Sequence, residues 1–268
     1  MGLLFARLHE HGAEFVPPQG FTNRRMDSIY SRDEPSVLLS EACQDAFTPE
    51  TKDILCQTDQ RVKEAFAFLY SDLLGLQVIH NDLHHANIKL YRGHLFPIDF
   101  EDTLWGFPVQ DIAMTLQDLM VDLSPEEYDP YQSTFQEGYE RLQLWPESYE
   151  GQIDTFRVGC MLWVANYVAR YQSTYLLEHV GWLARLFEGY LESGFVRRAQ
   201  MCTSGTRQRR LDSSTRFEYI QRSPMILEEE IIRMSPLSQV SGIRLRSPIE
   251  DLQKKGGISC SQPFLAYL

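Results

Sequence analysis

The chain has 268 residues, 43% of them hydrophobic and 12% aromatic, which is a globular composition with enough material for one large domain or two small ones. It carries 25 basic and 37 acidic residues, and the resulting net charge of −12 is concentrated in residues 1–195. That acidic body repels phosphate backbones and excludes nucleic acid as the expected partner. No apolar run reaches the roughly 18–20 residues of a membrane helix, so no membrane partner is expected either. The cysteines (Cys43, Cys56, Cys160, Cys202, Cys260) are odd in number and scattered without a C-x-x-C pair. They read as free thiols in a reducing, cytoplasmic setting and not as a zinc site.

In chain order, "LLFARLHEHG" reads as an amphipathic helix closed by Gly12 in a C-cap role. A Pro- and Gly-punctuated loop continues to about Ser36. Thr48 is placed to N-cap a helix with Pro49 at its first position; it runs to about Leu74 and is ended by Gly75, and Ile54, Leu55, Val62, Phe66 and Leu69 form its buried face. "QVIH" is a short apolar strand. "IKLY" and "HLFPI" read as a hairpin turning at Arg92-Gly93, followed by a loop containing Trp105-Gly106. "DIAMTLQDLMVDL" is a helix with Asp111 at or near its N-cap. Further helices are expected over about 126–143, 150–172 and 175–192, the last closed by Gly194. Residues 196–268 are basic, serine-rich and without period, and read as a disordered or loosely packed tail beside a domain spanning 1–195.

The chemistry concentrates between the first strand and the end of the hairpin. Asp82 and Asn87 lie five residues apart on the loop, and Asp99 ends the second hairpin strand. A strand, loop and hairpin return the chain to its starting edge, so Asp99 can come back beside the other two. Two carboxylates and an amide oxygen are hard ligands suited to Mg²⁺ and not to zinc. A carboxylate left free of the metal can orient a hydroxyl and take its proton during phosphoryl transfer.

"HNDLHHAN" followed by "IDF" resembles the linked motifs of the aminoglycoside phosphotransferase and choline kinase-like family, a branch of the protein kinase-like fold. "EDTLWGFPVQDIAM" and "ARLHEHG" extend the resemblance, which covers about residues 1–195 and is similar in detail to the stress-response kinase type. The resemblance implies an α+β, kinase-like fold represented mainly by its helical C-terminal lobe. It implies ATP as phosphoryl donor, Mg²⁺ as cofactor, Asp82 as catalytic base, and Asn87 and Asp99 as metal ligands. His80 and Asp111 would support the catalytic loop, while His84, Glu101 and Asp102 would lie near substrate or behind the metal ligands. The acceptor would be the hydroxyl of a small molecule or of a protein Ser or Thr. Where the family usually has glycine after the motif histidine, this chain has Asn81, a residue that tolerates left-handed backbone.

The resemblance also places Met1 at or just after the hinge between the two kinase lobes. Before His80 there is no G-x-G-x-x-G, and the only lysines, Lys52 and Lys63, fall on the expected helix. The nucleotide-gripping lobe is therefore expected to be missing, with an exposed apolar face where it would dock. Activity of the chain alone is left open, and a non-catalytic pseudokinase or gene fragment acting as a binding module is the alternative. A metal-dependent hydrolase using His84 and His85 is a further one.

Overall fold

A computed structural model describes residues 1–30, 35–44, 46–170 and 176–196. The chain divides into two units, Met1–Gly205 and Thr206–Leu268, and all the described residues belong to the first. The tail read over 196–268 thus lies, beyond Val196, outside the described residues.

Seven helices and four short strands are described: α1 Gly2–Glu14, α2 Glu41–Gln44, α3 Pro49–Leu69, β1 Gln77–Ile79, β2 Ile88–Tyr91, β3 His94–Pro97, β4 Leu104–Gly106, α4 Pro108–Asp122, α5 Pro125–Tyr139, α6 Gln152–Arg170 and α7 Leu176–Ser193. The centre is α4, whose Ile112, Ala113 and Leu116 are fully buried. It packs on α6 and α5, while α3 lies against α6 and α7. The core they share holds Phe66, Phe156, Leu162 and Phe187, each side chain contributing on the order of 1.5–3 kcal/mol on burial. None of the described helices is long and apolar enough to cross a membrane.

The Thr48 side chain accepts from the Thr51 N–H at 3.3 Å, with Pro49 in the first turn where its missing N–H costs nothing. That helix stops at Leu69, five residues earlier than the pattern suggests. Ser71 Oγ bonds to the Phe68 carbonyl and Asp72 accepts from the Leu74 N–H, so polar side chains take over the backbone there before Gly75 turns at φ +88°.

Two further expectations fail because a glycine makes room for close packing on β1. Gly12 is not a cap: α1 runs on to Glu14, and a Cβ on Gly12 would overlap the Val78 carbonyl of β1. Trp105-Gly106 is not loop but strand, pairing antiparallel with β1 in the register Val78↔Trp105, and Gly106 makes room for Ile79. Residues 24–26 extend this sheet, since Met26 N–H donates to the Trp105 carbonyl and Trp105 N–H to that of Arg24, each at 2.9 Å.

The hairpin forms as expected, with Ile88↔Pro97 at one end and Tyr91↔His94 at the other. Arg92 and Gly93 both take positive φ, +50° and +80°, the two-residue turn that matches strand twist. Leu90 is 72% exposed on one face, and Tyr91 and Phe96 are 59% and 47% exposed on the other, so both faces of the hairpin present apolar side chains to solvent.

Candidate active site

The strand β1 delivers the chain into a loop, His80–Ala86, that is pinned to α4 at several points. Asn81 takes φ +64°, the left-handed conformation its residue type allows, and aims its backbone N–H at Asp111 Oδ1, 2.7 Å away. Two residues on, the buried Leu83 gives its carbonyl to Thr115 Oγ1 at 2.7 Å. One helical turn, His85–Asn87, then leads into β2, its first N–H groups tied back to His84. The loop is thus held by α4 and by its own turns, which fixes the polar side chains it carries.

Two sequence-predicted residues, Asp82 and Asn87, meet at its rim, and a third, Asp99, follows the residue bonded to the Asn87 backbone. Asn87, buried, donates from Nδ2 to both the backbone carbonyl and the Oδ2 carboxylate of Asp82, at 2.9 and 3.0 Å. The Asn87 carbonyl in turn accepts from the Ile98 N–H at 2.9 Å, which sets Asp99 one residue from the ladder that holds Asn87. Asp99 is exposed and adopts φ +65°, a left-handed backbone that aspartate, like asparagine, tolerates better than most residues. Burial pushes the Asp82 carboxyl above the ordinary carboxylate range, the charges of Asp102 and Asp99 add to the rise, and His84 and His80 oppose it. Asp99 is therefore near enough for its charge to be felt at Asp82.

The remaining candidates sort by contact. His80, 4% exposed, donates from Nε2 to the Ile98 carbonyl at 3.0 Å, next to Asp99, and its ring lies 4.7 Å from that of Phe100. Its Nδ1 is buried without a hydrogen-bond partner. His84 Nδ1 accepts from the Ala86 N–H, and Nε2 lies 3.8 Å from Asp82 Oδ2. Asp102 faces Arg24 at 3.5 Å, while Glu101 is exposed. Asp111 lies in the first turn of α4 without capping it. That end is closed by Gln110, whose Oε1 accepts from the Phe107 N–H at 2.9 Å and whose Nε2 reaches the Met26 carbonyl. This leaves Asp111 for the loop.

One participant escapes sequence reasoning. His9 on α1 contacts Asp111 Oδ2 through Nε2 at 3.1 Å and Tyr139 Oη through Nδ1 at 2.9 Å, all three nearly sealed from solvent. A carboxylate only accepts, so in the neutral ring Nε2 carries the proton and Nδ1 accepts from the tyrosine hydroxyl. Burial, reinforced by the Asp111 charge, pushes the Tyr139 phenol up and keeps it a donor. The line Tyr139–His9–Asp111–Asn81 ties α5 and α1 to the loop. The histidine of "ARLHEHG" was the available signal, but nothing in the sequence says which of His9 and His11 faces inward.

Chemically, Asp82 and Asp99 provide carboxylates and Asn87 a carboxamide whose nitrogen is already committed to Asp82. Its oxygen is the atom left to coordinate, so Asn87 and Asp99 offer hard oxygen donors that fit Mg²⁺. Such an ion would neutralise charge on a bound polyphosphate.

Residues 1–145 match the family described as "Phosphotransferase enzyme family". No curated protein matches the chain. Among solved structures, the microcompartment-associated aminopropanol kinase is similar over 73% of this chain and 62% of its own, at TM-score 0.58 and 20% identity. Amicoumacin kinase hAmiN, solved with AMP-PNP, Ca²⁺ and Ami, is similar over 71% of this chain and 57% of its own, at TM-score 0.53 and 18% identity. The chain thus spans about three fifths of the length of these two kinases. Its helix-rich α+β architecture with small strand pairs is the kinase-like fold they share. With its loop motifs and more than half of its length matched, the chain belongs to the phosphotransferase enzyme family.

Proposed function

We propose that this chain carries the catalytic lobe of an ATP- and Mg²⁺-dependent phosphotransferase acting on the hydroxyl of a small, cationic acceptor such as an amino alcohol. The observation that carries the reading is the double hydrogen bond from Asn87 to Asp82, with Asp99 close enough to act on the same carboxylate. In this reading Asp82 orients the acceptor hydroxyl and takes its proton, a task favoured by a carboxyl whose affinity for protons is raised. Asn87 and Asp99 hold the metal–nucleotide. His80 fixes the backbone before Asp99, and Asp111 with His9 keeps the loop in register. The acidic composition and the exposed Glu101 support a cationic acceptor, as does the aminopropanol named for one neighbour. Scattered free cysteines support a cytoplasmic setting.

Thermal shift with Mg-ATP tests the reading: millimolar nucleotide raises the melting temperature, and Asp99→Ala removes the rise. Absence of any rise in the unaltered chain overturns it. A second reading is binding without turnover. A nucleotide-dependent shift without phosphate transfer to any of a panel of amino alcohols would favour it.

A further inference from the structure

The loop that carries Asp82 also carries two adjacent histidines, and α4 brings a carboxylate to them. His85 Nδ1 donates to Asp118 Oδ2 at 2.9 Å, a contact that joins the helical turn after the loop to the middle of α4. His84 stands beside it, the two rings meeting edge to face with centroids 5.9 Å apart. One nitrogen from each imidazole and one oxygen of Asp118 all lie within 4.8 Å of one another. Among the described residues this is the one group of three or more His, Cys, Asp or Glu side chains so gathered. The side chains are 30%, 33% and 22% exposed, open enough to admit an ion and sheltered enough to be held in place.

We propose that His84, His85 and Asp118 form a binding site for one transition-metal ion of the Zn²⁺ type, separate from the oxygen donors of Asn87 and Asp99. The donor set decides the class of metal: two imidazoles and one carboxylate suit zinc, cobalt or nickel and are poor partners for Mg²⁺. Three protein ligands with water in the fourth position is the composition of an open tetrahedral zinc site. Metal–ligand bonds of about 2.0–2.1 Å in that geometry put neighbouring donors about 3.3 Å apart. The His85–Asp118 pair already lies within a few tenths of an ångström of that spacing. His84 closes the remainder by rotating its ring, at the cost of the 3.3 Å bond it accepts from the Ala86 N–H. Binding at His85 Nδ1 puts the ion where the hydrogen bond to Asp118 stands, and the ring proton moves to Nε2.

The site differs from the hydrolase reading of the same histidines. Its third ligand comes from α4 and not from the loop. It also stands independently of the phosphotransferase reading, because it needs neither nucleotide nor Mg²⁺.

The test is titration of the full, chelator-stripped chain with Zn²⁺ by calorimetry and with Co²⁺ by absorption. One ion binds per chain, without the thiolate-to-cobalt charge-transfer band that a cysteine site would show, and millimolar Mg²⁺ does not displace it. His85→Ala and Asp118→Asn each weaken binding at least as much as the roughly 10- to 100-fold that loss of an outer partner costs. His94→Ala, on the hairpin, leaves binding unchanged. Circular dichroism of the metal-free variants shows that they fold, and His84→Ala supplies a third variant should either fail to do so. Failure of Zn²⁺ to bind at 0.1 mM, roughly a Kd too weak for three ligands, overturns the proposal. So does a thiolate band, displacement by Mg²⁺, or binding that Asp99→Ala abolishes and His85→Ala does not.

Discussion

Asn87 binds Asp82 twice, donating from one amide nitrogen to the backbone carbonyl and to the side-chain carboxylate at 2.9 and 3.0 Å. The two bonds fix where the acid points before any ligand arrives. Asn87→Ala removes both and leaves a half-buried carboxylate short of a donor, at a stability cost of about 1–3 kcal/mol, readable by urea denaturation. Turnover falls roughly 100- to 1000-fold, the scale on which one preorganised polar group counts.

Replacing the same residue by aspartate separates charge from geometry. Asn87→Asp keeps an oxygen donor but cannot donate to Asp82, and it adds a third negative charge to those of Asp99 and Asp102 that already raise the Asp82 pKa. The acid limb of the pH–rate profile moves to higher pH in this variant. A limb that stays in place argues that another group governs it.

For the unaltered chain the sign follows from burial. Asp82 in the folded state holds its proton to higher pH than in the unfolded chain, where about 3.9 is usual. The group therefore adds stability below the unfolded value, and that contribution is lost as pH rises through the folded value. At neutral pH its charge is a net cost. Asp82→Asn, which still accepts from Asn87, raises the melting temperature at pH 7, and the difference from the unaltered chain shrinks as pH falls. The same variant abolishes turnover, a stability-for-function exchange common at active sites.

The buried line behind the loop makes its own prediction. Tyr139→Phe removes one hydrogen bond to His9 and costs about 1 kcal/mol. Asp111→Ala orphans both the Asn81 N–H and the His9 ring and costs about 3 kcal/mol or more. The double change of His9→Ala and Asp111→Ala is less than additive by roughly 0.5–3 kcal/mol, because each single change already breaks their shared contact. Chemical denaturation of the four variants checks this.

At Gly12, helix propensity and packing oppose each other. Alanine in an exposed helix interior would gain about 1 kcal/mol. Here the added methyl meets the Val78 carbonyl, so α1 must move off β1, and Gly12→Ala destabilises by about 1–3 kcal/mol or more.

What the sequence made legible was what local rules govern. The Thr48 cap, the Arg92-Gly93 turn and the amphipathic helices are set by residues near one another in the chain, and they stand within a few positions of where the pattern puts them. The strand at Leu104–Gly106 stayed hidden because three residues carry no alternation and its partner, β1, lies 27 positions back. Gly12 misled because glycine serves two purposes, ending helices and letting backbones touch, and only the long-range packing of α1 on β1 tells which. At the candidate site, the resemblance singled out Asp82, Asn87 and Asp99, of which Asp82 and Asn87 are hydrogen-bonded to each other. The depth of the loop's support did not show, since His9, Thr115 and Tyr139 reach it from three different helices. Asp118 was invisible as a partner of His85 for the same reason.

Substituting Mn²⁺ for Mg²⁺ and following water-proton relaxation with ATP present reads the central geometry directly. The enhancement characteristic of a ternary complex should develop with the unaltered chain, persist in Asp82→Asn and in His85→Ala, and vanish in Asp99→Ala. An enhancement indifferent to Asp99, or none at millimolar nucleotide, would contradict a metal–nucleotide seat built by Asn87 and Asp99.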